Sequence, residues 1–119
     1  MLRIMNDSKQ QVALGKISQE MRRGILILAT LSQLKDERYG YALIDRLGQQ
    51  GLEIDQGTLY PLLRRLESQG LLDSRWEVSG SRPRRYYQIN AAGTAVLAGL
   101  VTEWEGLNQV MANLLKGSE

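Results

Sequence analysis

The chain has 119 residues, 43% apolar and 24% charged, with a formal net charge of +2. That length suits one domain with a modest core, and the composition is that of a folded globular protein. Cysteine and histidine are both absent, which removes disulfides, thiolate chemistry, cysteine-ligated zinc, and the commonest general base and metal ligand.

An enzyme built on this chain would have to work with carboxylates, lysine, tyrosine or serine alone. No metal site and no cofactor are expected. The longest apolar run, GILILATL at 24–31, is far too short to span a bilayer and is not placed as a signal peptide. No membrane partner is expected, and the chain should be cytoplasmic. Charge is unevenly placed. Between Gln56 and Gln88 six arginines face three acids, a local +3, whereas one lysine faces three acids from Ala91 onward, a local −2. Positive charge gathered in one third of a chain is what a local anionic contact needs, although a solvated arginine surface has the same composition.

The first few residues carry no clear signal. From residue 7 or 8 to 21, Val12, Ala13, Ile17 and Met21 recur at spacings near four, the pattern of an amphipathic helix. Residues 22–34 are nearly continuously apolar and read as a buried helix, either separate from the first or continuous with it. A turn is expected over 36–40. Residues 41 to about 50 form another helix, with Leu43, Ile44 and Leu47 on one face and Gly48 and Gly51 marking its end. Asp55 is then a good N-cap for the segment GTLYPLLRRLESQGL at 57–71.

On a helical wheel Leu59, Leu62, Leu63 and Leu66 share one narrow arc, while Thr58, Pro61, Arg64, Arg65 and Ser68 lie opposite and Tyr60 sits at the flank. The leucines dock the helix and the polar face stays outside. Pro61 belongs in the first turns, where a missing N–H does least harm, and Gly70 is a stop. LLDSRWEV (71–78) and RRYYQI (84–89) flank the loop SGSRP, which predicts a β-hairpin. Leu72, Trp76 and Val78 alternate with Asp73, Arg75 and Glu77, as in a half-buried strand. After Asn90, an N-cap candidate, a long helix runs to about residue 115.

Three helices followed by an arginine-tipped hairpin predict a mainly α fold with a small β-hairpin, the winged helix-turn-helix. Residues 8–90 would form the DNA-binding domain and 91–116 a C-terminal dimerisation helix. In that architecture the third helix enters the major groove and the hairpin lies along the backbone or minor groove. Short side chains early on the helix let its backbone approach the bases, and the arginines behind them reach phosphates.

The blocks YGYALIDRL, GTLYPLLRRLESQGLL and RPRRYYQINAAG resemble the PadR family of bacterial transcriptional regulators, most strongly over residues 22–93. The single long C-terminal helix is similar to that of the family's short members. The resemblance implies a winged-helix DNA-binding domain and a homodimer through the C-terminal helices. It further implies repression of a nearby promoter, relieved by a small aromatic or lipophilic effector. It places the recognition motif on Thr58, Leu59, Tyr60, Pro61, Arg64 and Arg65, and the wing motif on Arg84, Arg85, Tyr86 and Tyr87. The AAG turn after the wing departs from the family's Thr-Pro-x-Gly form, which should affect helix capping and not DNA contact.

The DNA-binding candidates are therefore Thr58, Tyr60, Pro61, Arg64, Arg65, Arg82 and Arg84. Tyr60 either contacts DNA or covers the helix junction. Arg85 is a candidate for the inward face of its strand, and Trp76 and Tyr87 read as core or wing packing. Glu103 and Glu105 do not share a helix face and form no catalytic pair. Leu97, Leu100, Trp104, Leu107, Met111 and Leu114 follow an a/d heptad, with Val96, Val101, Val110 and Leu115 widening the seam. Such a stripe asks for a second copy, the alternative being packing within the chain. An indole at a central a position is wide for a parallel two-stranded seam. Splayed or antiparallel helices would leave either a filled core or a slot for a flat lipophilic effector, lined by Leu100, Val101, Trp104, Leu107 and Met111. The function expected is a dimeric repressor on an inverted-repeat operator. A winged-helix protein-interaction module is the alternative, but it would not need arginines on both the third helix and the wing.

Overall fold

The computed structural model describes residues 2–117, with side chains from Asp7 onward. In chain order the elements are α1 (Leu2–Ser32), β1 (Arg38–Tyr39), α2 (Gly40–Gln49), α3 (Gln56–Ser68), β2 (Leu72–Glu77), β3 (Arg84–Ile89) and α4 (Ala91–Gly117). The three strands form one antiparallel sheet in the order β1-β3-β2.

One open choice is decided and one expectation is corrected. The amphipathic and apolar stretches near the N-terminus are one unbroken helix of 31 residues, because nothing between Met21 and Gly24 caps or breaks it. The expected turn over 36–40 contains β1, whose Arg38 and Tyr39 pair with Tyr87 and Tyr86. The α1–β1 connection is tied down by the Ile89 N–H donating to the Leu34 carbonyl at 2.8 Å, and by Arg38 Nε donating to the Gln33 carbonyl at 3.0 Å.

The core is almost entirely leucine: Leu31 of α1 and Leu34 just beyond it, Leu43 and Leu47 of α2, Leu59, Leu63 and Leu66 of α3, and Leu72 of β2, closed by Tyr87. These are the periodic positions of each segment, so helical spacing and burial agree. Both α2 and α3 end in the same device. Gly51 and Gly70 take positive φ of 93° and 80°, and the following leucines donate back five residues, Leu52 to Leu47 at 2.9 Å and Leu71 to Leu66 at 3.0 Å. That is the Schellman motif, which favours glycine at its left-handed position.

The start of α4 is pinned to the end of α3. Asn90 caps α4 by accepting from the Gly93 N–H at 2.9 Å and donates from Nδ2 to the Gly70 carbonyl at 3.0 Å, while its own N–H reaches the Leu71 carbonyl at 3.2 Å. Gly93 sits so close to that carbonyl that a Cβ there would collide with it. Beyond this anchor Leu97 and Leu100 pack on the domain's own core, and α4 lies against α1. The heptad is thus used within the chain at its first two positions. Trp104, Leu107 and Met111 stay exposed, as do Val12, Ile17 and Met21 on the expected apolar face of α1.

Candidate nucleic-acid interface

The third helix begins where Asp55 accepts the Thr58 N–H at 2.8 Å, leaving Gly57, Thr58 and Pro61 exposed over its first turns. Buried Leu59 and Leu63 hold the opposite side, so the outer face is fixed by the leucine stripe. That face divides between two grooves. Tyr60 and Arg64 turn toward the wing, where with Tyr39, Tyr41, Trp76, Arg82 and Arg84 they line a cleft of about 510 Å³. Thr58, Pro61 and Arg65 turn toward α1 and line a smaller groove of about 300 Å³ with Arg23 and Leu26. The sequence-predicted residues accordingly flank the helix on both sides instead of meeting in one site.

Tyr60 is half-buried beneath the N-terminus of α2. Its ring edge lies where a Cβ on residue 40 would stand, which explains the glycine at that position. Burial pushes its phenol above the ordinary value of 10.0, so the group stays neutral, and the Tyr41 hydroxyl accepts from Gln56 Nε2 nearby.

The six clustered arginines fall into two kinds. Arg75 is on the outer face of the wing sheet, where it grips Glu37 through two hydrogen bonds of 2.7 and 2.6 Å, reaches Glu77 at 3.2 Å and lies over the Tyr86 ring. Its hydrogen bonds hold the Glu37 carboxyl below the usual 4.5. For Glu77 the hydroxyl and backbone N–H of Ser79 lower the carboxyl first, with Arg75 adding to them. Arg85 points inward and bonds Glu67 at 2.8 Å and Ser74 Oγ at 3.1 Å, with Ser74 also donating to Glu67. This triad clamps the wing to the third helix. The remaining four, Arg64, Arg65, Arg82 and Arg84, are exposed and have no ion pair among the described residues. Arg84 lies 4.5 Å from the Tyr39 ring centre, which fixes its direction without neutralising it.

Two residues of this surface had no signature in the sequence. Arg23 stands beside Arg65, yet it precedes an apolar run and reads as a flank. Trp76, expected to pack, is 59% exposed, whereas Tyr87, from which the same was expected, is 3% exposed. The effector candidates do not form an enclosed site within one chain. Leu100 is half-buried against its own core, while Val101, Trp104, Leu107 and Met111 are open on α4. Among the described residues no His, Cys, Asp or Glu grouping is able to hold a metal, and no helix is long and apolar enough to cross a membrane.

A helical triad whose third member presents an uncompensated cationic face beside an antiparallel hairpin defines a winged helix-turn-helix protein. Residues 27–99 match the transcriptional regulator PadR-like family, and the chain belongs to it. It is 42% identical to a PadR family transcriptional regulator from Eggerthella lenta, whose crystal structure superposes with a TM-score of 0.85 over 91% of this chain and 96% of that one. A PadR-like transcriptional regulator from Bacillus cereus is 29% identical, with a TM-score of 0.71 over 81% of this chain and 96% of its own. The transcriptional regulator Rv3488 of Mycobacterium tuberculosis is 40% identical over 79 residues, 66% of this chain and 74% of that protein. The protein is a transcriptional regulator, a non-enzymatic role.

Proposed function

We propose that the protein is a homodimeric repressor that binds an inverted-repeat operator in double-stranded DNA and is released by a small aromatic or lipophilic effector. The observation that carries DNA binding is the division of the arginines. Arg75 on the outer sheet face and Arg85 inside the wing are neutralised by acids, whereas Arg64 and Arg65 of the third helix and Arg82 and Arg84 of the wing are not. Thr58, Tyr60 and Pro61 meet bases and sugars in the major groove. Arg64 and Arg65 take flanking phosphates, and Arg82 and Arg84 take the backbone beside the wing.

Residues 91–116 join the two copies. Their support is the exposed stripe Trp104, Leu107 and Met111, large apolar groups that a single chain leaves in water. Two modules related by a two-fold axis read half-sites about 10 bp apart or a near multiple. The effector slots between paired helices against Trp104, with Leu100, Val101, Leu107 and Met111 around it, and changes the helix crossing.

Selection of bound fragments from random duplex DNA tests the reading. A recovered palindrome is expected, and recovery of no preferred sequence refutes specific readout. Light scattering of the full chain should give a dimer and that of Leu107→Glu a monomer. A monomeric wild-type protein removes the helix 91–116 from the assembly. Tryptophan quenching by planar phenolics should weaken in Trp104→Leu, and equal binding to both proteins removes Trp104 from effector recognition.

A further inference from the structure

We propose that Trp76 is a DNA-contacting residue whose indole packs on a deoxyribose of the backbone strand lying between α3 and the wing; this rests on the DNA-binding reading above. The register places Leu72 opposite Ile89, Ser74 opposite Tyr87 and Trp76 opposite Arg85. By the pleat these six side chains share one face of the sheet, the face turned toward α3. Along it the environment changes in steps. Leu72 and Tyr87 are core. Ser74 and Arg85 are tied to Glu67 at the middle of the wing. At the next step outward α3 no longer covers the sheet, and the indole is left 59% exposed.

Trp76 is therefore a large apolar group on the inner face of a strand with no protein above it. Its one described partner is the guanidinium of Arg85, 5.6 Å from the ring. The Glu67–Arg85–Ser74 triad already fixes that guanidinium, so the indole is not needed to hold the clamp.

The cleft that the indole lines also has Arg64 of α3 and Arg82 and Arg84 of the wing on its walls. An occupant must then bring negative charge to the arginines and an apolar surface to the ring within one narrow strand. A nucleic-acid backbone does so at every residue, since each phosphate alternates with a sugar whose carbon face is apolar. The cleft is continuous with the outer face of the third helix through Tyr60 and Arg64, so a strand leaving the groove read by that helix passes directly over it.

The test uses full-length Trp104→Phe, in which Trp76 is the one remaining tryptophan. The probe is a labelled mixed-sequence duplex of roughly 30 bp at about 50 mM salt, where phosphate-driven binding is strong. Label anisotropy reports binding, and acrylamide quenching reports the indole. Saturating duplex should lower the quenching of Trp76 about twofold, given its present exposure. In the wild-type background Trp76→Ala should weaken binding about tenfold with an unchanged salt slope, because no phosphate partner is lost, whereas Arg82→Ala should lower the slope by roughly 1 unit. Trp76→Phe should recover most of the loss. Duplex binding without change in quenching, or a Trp76→Ala effect within twofold, overturns the proposal while DNA binding stands. No binding of duplex by wild type removes the DNA-binding reading and the Trp76 contact with it. Should Trp76→Ala misfold by circular dichroism, the quenching result, which keeps the indole, decides alone.

Discussion

Replacing Gly93 with alanine adds one methyl group at the point where α4 meets the end of α3. The new carbon would run into the Leu71 carbonyl oxygen and crowd Ile89 Cγ1. The oxygen is not free to retreat. It accepts the Asn90 N–H, and the Leu71 N–H is itself bound to Leu66. Reaching ordinary contact needs a displacement of about 1.3 Å, which also breaks the Asn90 cap on the Gly93 N–H. Overpacking of this kind costs about 1–3 kcal/mol and loss of a cap about 1, offset by up to ~1 from the better helix propensity of alanine. A net loss of about 2–3 kcal/mol is expected, equivalent to roughly 10 °C in Tm for a chain of this size.

Thermal melts by circular dichroism at matched protein concentration measure it, and Asn90→Ala sets an upper bound on the cap contribution, since it also removes the Nδ2 bonds to Gly70 and Asp73. Gly24→Ala is the control. That glycine is also inside a helix but has open space around it, so its substitution should raise stability by up to about 1 kcal/mol. If Gly93→Ala melts within about 2 °C of wild type, less than 1 kcal/mol, the close approach of α4 to Leu71 is not a constraint and the reasoning fails.

Gly40→Ala should behave differently, because the obstacle is the far end of the Tyr60 ring and not backbone. Stability should change by less than about 1 kcal/mol while discrimination between recovered operator and random duplex falls, and Tyr60→Ala should abolish that difference. Removing Arg82 and Arg84 together should lower the salt slope of duplex binding by about 2 units per chain, measured by titration across salt. Glu67→Ala leaves Arg85, now half-buried, without its carboxylate. It should cost about 1 kcal/mol in urea denaturation, after allowance for solvent screening. Because Arg75 holds the Glu37 carboxyl below its usual 4.5, its contribution is present above that value and lost as pH falls through the lower folded value. Melting temperatures of wild type and Glu37→Gln should converge only in that acid range.

Much of this architecture is written in leucine spacing. Leu59, Leu63 and Leu66 repeat at helical intervals, so both the existence of α3 and its buried side follow from local pattern, as do the Asp55 cap and the Gly70 stop. What local pattern lacks is any record of what stands opposite. Arg75 and Arg84 are equivalent arginines in sequence, and only the fold brings Glu37 to one of them and Tyr39 to the other. Strand β1 has two residues, too few for alternation to appear. Its pairing depends on a partner more than forty positions away. Trp76 obeys the period of a buried face but lies past the edge of the helix that would cover it. A heptad likewise cannot tell which of its turns are taken up by the chain's own core, as Leu97 and Leu100 are.

The two long helices are fastened to the reading head at adjacent residues: the end of α1 through Leu34, just beyond it, to Ile89 at the root of the wing, and α4 through Asn90 to Gly70 and Leu71 behind the third helix. Neither junction has slack, and the last carries a glycine that admits no extra atom. In a dimer joined along α4, the helix acts as a lever arm. Its 27 residues span about 40 Å at ~1.5 Å each. A tilt of about 5° at one end therefore moves the other by roughly 3.5 Å, close to the ~3.4 Å rise of one base pair. If the proposed dimer reads two half-sites, inserting or deleting one base pair between them should weaken binding as strongly as changing a contacted base.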